Sequence, residues 1–172
     1  TRNSNKIIEL CELILKEYDH LITNKDIQNL YDKLAEQYFS QKNYQNSYVY
    51  YNKYCTNIIT NKLKTFSAEK YFYRAILSTM ANDDFVNAKN KYSEYCDSVS
   101  TFKNSRVGEF IRKILLAMQN SDLNQFIDEI KKYENISNLS PNEVTAFLEI
   151  KKTYFCYDFI GTSQENNKID MA

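Results

Sequence analysis

The sequence predicts an all-α fold built from stacked two-helix hairpins, and two observations predict it. The first is a motif that occurs twice, 41 residues apart: Tyr44-x-x-Ser47-x-x-x-Tyr51-x-x-Tyr54-Cys55 and Phe85-x-x-Ala88-x-x-x-Tyr92-x-x-Tyr95-Cys96. Steps of three and four residues set an aromatic stripe along one helix face, with a small residue where a second helix approaches. A weaker third copy follows as Leu123-x-x-Phe126-x-x-x-Ile130-x-x-Tyr133. The second observation is a shortage of turn residues, 2 Gly and 1 Pro in 172. Elements therefore run long, connections are short, and a β-sandwich is excluded.

Eight helices are expected in order. The first covers about 6–21 on Ile7, Leu10, Leu13, Ile14 and Tyr18. The second covers about 26–41 on Leu30, Leu34 and Tyr38, and Lys42-Asn43 joins it to a third that carries the first motif copy to about Ile59. Leu34-Ala35-x-x-Tyr38 followed by Tyr44, Ser47 and Tyr51 lies close to the tetratricopeptide pattern, without its later small residue and helix-ending proline. A period of roughly 40 residues is what such helix pairs give, so the expectation is a tetratricopeptide-like helical-hairpin solenoid.

Ser67 opens a fourth helix on Tyr71, Phe72, Ala75, Ile76 and Met80. Asn82-Asp83-Asp84 turns the chain, and either aspartate can cap the fifth helix, which holds the second motif copy. Residues 97–104 form the longest loop of the array. Ser105 caps a sixth helix with Phe110, Ile114, Leu115 and Met118 inward, and Asn120-Ser121-Asp122 starts the seventh. The strongest start signal is Ser140-Pro141-Asn142-Glu143: a capping serine, proline at the first helical position and glutamate three residues on. The eighth helix runs on Val144, Phe147, Leu148, Lys152 and Phe155 to about Phe159, and a polar tail follows Gly161.

Composition narrows the function. Hydrophobic residues make up 43 %, and 15 Tyr with 10 Phe supply much of that. Tyrosine suits shallow seams between helices, because the ring is buried while the hydroxyl reaches a polar partner. Net charge is zero, but residues 43–82 carry Lys53, Lys62, Lys64, Lys70 and Arg74 against Glu69 alone. A second cluster is Lys103, Arg106, Arg112 and Lys113, opposed by Glu109. Two readings stand: a solvated helix face, or a local basic patch for an acidic protein partner. Nucleic acid is not expected, since such binders are basic overall and interleave that charge with exposed aromatics.

The cysteines at 11, 55, 96 and 156 have none of the short spacings of zinc or redox motifs, and read as buried free thiols of a reducing compartment. No run has transmembrane length and none reads as a signal peptide, so a cytoplasmic protein is expected. The start at Thr1 rather than Met suggests part of a longer protein.

Catalysis is not expected, nor any cofactor or metal. The single histidine, His20, sits near the end of the first helix, where a notional pairing with Cys11 or Cys55 has no flanking signature. Gly108 and Gly161 are too few for a phosphate loop. Asp83-Asp84 reads as a helix cap ahead of a carboxylate pair for acid or metal chemistry.

From Ser105 onward an ordered set of residues carries a resemblance. Ser105-Arg106, Ile114-Leu115, Phe126, Lys131-x-Tyr133, Ile136-Ser137-x-Leu139 and Leu148-x-Ile150-Lys151-Lys152-Thr153 resemble the carboxy-terminal end of the soluble NSF attachment proteins, the alpha-type SNAPs. Upstream, Tyr44-Gln45, Tyr51, Ser67-Ala68-x-Lys70-Tyr71-Phe72-x-x-Ala75 and Asn87-Ala88 resemble the same family in order and spacing.

The resemblance, traced from about Ile7 to Thr153, implies a non-enzymatic adaptor corresponding to roughly the carboxy-terminal half of the family. It implies hairpin repeats over 1–104, a carboxy-terminal helical bundle over 105–160 and a flexible tail over 161–172. Family members lie along an assembled SNARE four-helix bundle through basic residues and recruit the hexameric ATPase NSF through their carboxy-terminal end. Membrane association would be peripheral, through that complex or through the family's amino-terminal half.

Arg106 matches an arginine of the family's SNARE-facing surface, and Lys113 shares its helical face; Lys70 and Arg74 complete the expected basic set. Asp122, Asp170 and Met171 are the candidates for contact with NSF, with Glu165 and Asp170 standing loosely for an acidic tail and Met171 for a penultimate leucine. Some family charges are replaced: Asn46 stands at a basic position, and Leu116, Gln119 and Asn120 at acidic ones. The rival reading is a generic tetratricopeptide-like scaffold for a protein or peptide unrelated to SNAREs, with Lys53 and Asn46 as a carboxylate clamp.

Overall fold

The computed structural model describes residues 2–61 and 68–155. Among these residues there are nine α-helices and no strand. They are α1 (Arg2–Glu17), α2 (Asn24–Ser40), α3 (Tyr44–Asn61), α4 (Ala68–Ala81), α5 (Phe85–Ser98), α6 (Ser100–Lys103), α7 (Arg106–Gln119), α8 (Leu123–Glu134) and α9 (Pro141–Ile150). Helices adjacent in sequence from α1 to α5 pack against one another, the pattern of a helical-hairpin solenoid.

Most of the expected boundaries hold, and the differences have local causes. After α1 a 3-10 turn over Asp19–Leu21 takes up residues expected in the first helix. Helix α2 starts earlier than expected because Thr23 and Asp26 form a capping box. The Asp26 amide donates to Thr23 Oγ1 and the Thr23 amide to the Asp26 carboxylate, each at 3.2 Å. The predicted loop at 97–104 contains the short α6, which buries Phe102 against Phe72 at 5.2 Å between ring centroids. Ser67 and residues 156–159, expected as the start of one helix and the end of another, lie outside the described residues.

Three interhelical turns share one design. Lys42, Asp83 and Ser121 have φ of 60°, 60° and 50°, and each precedes a capping residue. In every case the capping residue's amide donates to a carbonyl five residues back: Asn43 to Tyr38, Asp84 to Thr79, Asp122 to Ala117. The caps then accept the amide three residues on: Asn43 from Asn46 at 3.2 Å, Asp84 from Asn87 at 3.1 Å and Asp122 from Gln125 at 2.9 Å. Reversal without glycine is thus achieved by one left-handed residue per turn.

The chain divides into two compact units, Thr1–Arg112 and Lys113–Ala172. The division falls inside α7. Phe110 at the start of α7 contacts Tyr73, whereas Lys113 pairs with Glu129 of α8. In the first unit α4 is the central helix: every residue from Phe72 to Met80 is buried. A helix apolar on one stripe alone would not be, so α4 must be covered on several sides. Its buried serine and threonine hydroxyls are satisfied locally, Ser78 donating to the Arg74 carbonyl and Thr79 to that of Ile76. Tyrosines line the seams as expected, with Tyr38 and Tyr50 both donating to Glu12, at 2.7 and 3.0 Å.

The second unit holds α8 and α9. Ser140 and Glu143 form the expected capping box, at 2.7 and 3.3 Å. Beyond α9 the residues Lys151–Phe155 make a π-helical turn. Glu143, Ala146, Phe147 and Ile150 are buried in α-helical steps, and the next buried residue is Phe155, five on. The wider turn thereby swings Phe155 inward, where its ring meets Phe126 at 4.9 Å.

Candidate functional site

The basic residues expected to form a docking face are treated very differently by the structure. On α4, Lys70 is exposed, and its ammonium lies 5.5 Å from the Tyr71 ring. Arg74, one turn on, is buried at 8 % exposure. Its guanidinium lies 3.8 Å from the Glu36 carboxylate and 5.3 Å from the Phe39 ring. The expectation that Arg74 faces a partner is therefore corrected: its charge is turned into the α2–α4 seam. The signal was present in the sequence, because Tyr71, Phe72, Ala75 and Ile76 leave little of α4 that is not apolar.

The same seam holds Asp32, which accepts from the Tyr71 hydroxyl at 3.2 Å. Burial pushes the Asp32 carboxyl up, against the opposing pull of Lys70. Lys70 thus stands at the solvent end of a polar network whose inner end is Arg74.

Arg106 is the first residue of α7 and is exposed, with no ion pair to it among the described residues. Its position is set by a tight connection. Ser105 Oγ accepts the Gly108 amide at 3.0 Å and donates to the Phe102 carbonyl at 2.8 Å. Gly108 is glycine because a Cβ there would fall 2.0 Å from the Phe102 carbonyl oxygen. That explains why a glycine stands inside a helix. Lys103, on α6, is exposed as well.

The neighbouring basic residues are engaged within the chain. Arg112 makes two hydrogen bonds to Glu109, both at 2.8 Å, which hold its guanidinium charged. Lys113 lies 3.4 Å from Glu129, a nearly buried carboxylate that also accepts from Lys132 at 2.7 Å. Lys132 and Lys113 together hold Glu129 below the usual carboxylate range. No local pattern could have shown the pairing of Lys113 with α8, since it depends on how two helices meet. Asp122 is exposed and caps α8, so its carboxylate already accepts one amide. Asp170 and Met171 lie outside the described residues. Lys53, offered as a peptide clamp, lies 5.1 and 5.7 Å from the Tyr50 and Tyr31 rings.

Burial raises the thiol pKa of Cys11, Cys55 and Cys96, which keeps all three protonated at neutral pH. Cys11 and Cys55 are buried as expected, whereas Cys96 is half-buried. His20 stands exposed in the 3-10 turn. Among the described residues no group of three or more His, Cys, Asp or Glu side chains could hold a metal ion. No helix among them is long and apolar enough to cross a membrane.

Comparison with known families decides the kinship. The model described as "Soluble NSF attachment protein, SNAP" matches residues 15–154. The chain belongs to the soluble NSF attachment protein family. The human alpha-soluble NSF attachment protein is 31 % identical over 110 residues, covering 64 % of this chain and 37 % of its own length. The Dictyostelium discoideum alpha protein is 28 % identical over 110 residues, 64 % of this chain and 38 % of its own. The Bos taurus beta protein is 27 % identical over 121 residues, 70 % of this chain and 40 % of its own. The chain thus spans about two fifths of the length of these SNAP relatives. No solved structure matches it.

Proposed function

We propose that this chain is a non-enzymatic adaptor of membrane fusion: it binds assembled SNARE complexes and recruits an NSF-type hexameric ATPase that takes them apart. The observation that carries the reading is the family match over 15–154. Names among the matched proteins agree with it, including a probable vesicular-fusion protein sec17 homolog of Neurospora crassa, 28 % identical over 94 residues, 55 % of this chain and 32 % of its own length. The protein works in the cytoplasm and reaches membranes peripherally, through the complex it binds.

Arg106 is the principal SNARE contact, with Lys70 beside it in role and Lys113 contributing less because Glu129 already neutralises part of its charge. Arg74 drops out, since a buried guanidinium cannot meet a partner without unfolding the seam around it. Asp122, Asp170 and Met171 are the proposed contacts to the ATPase. Attraction between exposed cations and an acidic four-helix bundle speeds docking, and salt screens it.

The test is binding of the chain and of Arg106→Glu to a preassembled SNARE bundle at low and high salt. The expected result is weaker binding in high salt and a loss of roughly tenfold on charge reversal, about 1.4 kcal/mol. Equal binding by both proteins at both salt concentrations would remove Arg106 from the interface. Binding to a short extended peptide, with none to the bundle, would support the general scaffold instead.

A further inference from the structure

We propose that the outward face of α1 pairs antiparallel with the same face of a second copy of this chain. Helix α1 turns Ile8 and Cys11 inward, where they pack with Leu34 of α2. Lys6, Leu10, Leu13 and Glu17 lie on the opposite side, about 140–200° around the helix from Ile8. All four are exposed, Leu10 at 57 % and Leu13 at 50 %. They are four, three and four residues apart, the alternation of a coiled-coil seam.

Two exposed leucines alone would mean little, since surface apolar residues are common. The charges around them choose the occupant. In a two-fold antiparallel pair centred between residues 11 and 12, Leu10 meets Leu13 of the second copy, and Lys6 meets its Glu17. Symmetry makes each of these contacts twice, so the face is complementary to itself. The same axis brings Glu9 opposite Lys16 of the second copy on one flank, where both residues are exposed. A lipid surface would favour cations at both ends of the stripe; here the ends carry opposite signs.

The helix is already in place for such a contact. Glu12, on its inner side, accepts from Tyr38 and Tyr50 at 2.7 and 3.0 Å, so pairing does not have to order α1 first. Glu17 lies 3.5 Å from Lys16 of its own helix, an exposed contact too weak to withhold it from a second partner. A single helix of 16 residues, about 24 Å long, offers a small interface, which makes the association weak and reversible.

The experiment is sedimentation equilibrium of the full chain over about 10 µM to 1 mM, the range of a weak contact. The expected result is a dimer fraction that grows with concentration. Lys6→Glu and Glu17→Lys should each weaken association about tenfold or more, because one substitution turns two attractive contacts repulsive. An equimolar mixture of the two variants should associate again, since each then supplies the charge the other has lost. All these positions are exposed, so the fold is retained. A chain that stays monomeric throughout would overturn the proposal. So would a dimer indifferent to both reversals, which would use another face, or a mixture that fails to recover. Binding to anionic vesicles without self-association would give the stripe to a lipid surface instead.

Discussion

Helices α3 and α5 carry the same motif at the same spacing, yet they bury different members of it. Both place their small residue, Ser47 or Ala88, at 0 % exposure. In α3 the fully buried aromatic is Tyr51, and Cys55 is buried with it, while Tyr54 is half-buried and stacks on Tyr71 at 3.9 Å. In α5 the fully buried aromatic is Tyr95, stacked on Phe72 at 4.4 Å, while Tyr92 and Cys96 are half-buried. The cause is what flanks each helix. Helix α3 lies between two long helices, α2 and α4; helix α5 packs chiefly against α4 and, next, against the four-residue α6. A repeat in sequence thus fixes where helices approach most closely, and the neighbours decide which side of the stripe goes in.

The largest expected effect tests that inversion directly. Tyr51→Ala should cost about 3–5 kcal/mol, the range for emptying a packed aromatic site, and Tyr92→Ala about 1–2 kcal/mol. The order should reverse one turn on, with Tyr95→Ala far more damaging than Tyr54→Ala, since Tyr95 also donates to Asn52 at 3.2 Å. Urea unfolding of the four variants reads this out. Equal losses at equivalent motif positions would mean that the repeat, and not the flanking helix, sets burial.

The cysteines offer the next contrast. Cys55→Ser places a hydroxyl in a fully buried site and should cost about 1–3 kcal/mol, whereas Cys96→Ser should stay within about 0.5 kcal/mol. Alkylation of the native protein should label Cys96 and spare Cys55. The rate at Cys96 should climb with alkaline pH, because burial holds its thiol above the ordinary value. Rapid labelling of Cys55 in the folded state would contradict its placement.

The sequence made the repeat, the hairpin turns and the caps at Ser105, Asp122 and Ser140 legible, because each depends on residues three to five apart. The inward turn of Arg74 was legible only from the apolar run around it on α4, and the hold of Glu129 on Lys113 was not legible at all, since it depends on which helix lies opposite. The π-turn that brings Phe155 onto Phe126 was hidden for a related reason. A step of five between Ile150 and Phe155 reads as a break in periodicity until the partner ring is known. Local chemistry is written along the chain, and the electrostatics of the candidate surface is written across it.

The third motif copy, α8, extends the comparison to a smaller effect. Phe126 stands where the other copies have Ser47 and Ala88, and beside it α8 uses a charged residue, Glu129, on its inner side. Because Glu129 is held below its unfolded value near 4.3, its ion pairs stabilise the fold above that pH. The contribution disappears as pH falls through the lower, folded value. Its lysine partners reach solvent, so the expected loss in Glu129→Gln at neutral pH is about 0.5–1 kcal/mol, shrinking at high salt. The variant should also show a flatter stability profile below pH 5 than the wild type. An unchanged acid limb would deny Glu129 that role.

The smallest effect concerns the turns, where the copies look alike and should nonetheless differ. Lys42, Asp83 and Ser121 all hold the left-handed conformation, which costs an L-residue about 1–2 kcal/mol unless its side chain tolerates it. Glycine removes that cost but frees the unfolded chain, which opposes the gain by about 0.4–1 kcal/mol. Lys42→Gly and Ser121→Gly should therefore stabilise by about 0.5 kcal/mol. Asp83→Gly should be near neutral, because aspartate enters this region more readily than lysine or serine. Thermal unfolding of the three variants can rank them. If Asp83→Gly gained as much as the others, the three turns would be energetically equivalent, and the difference between α3 and α5 would lie entirely in what packs against their faces.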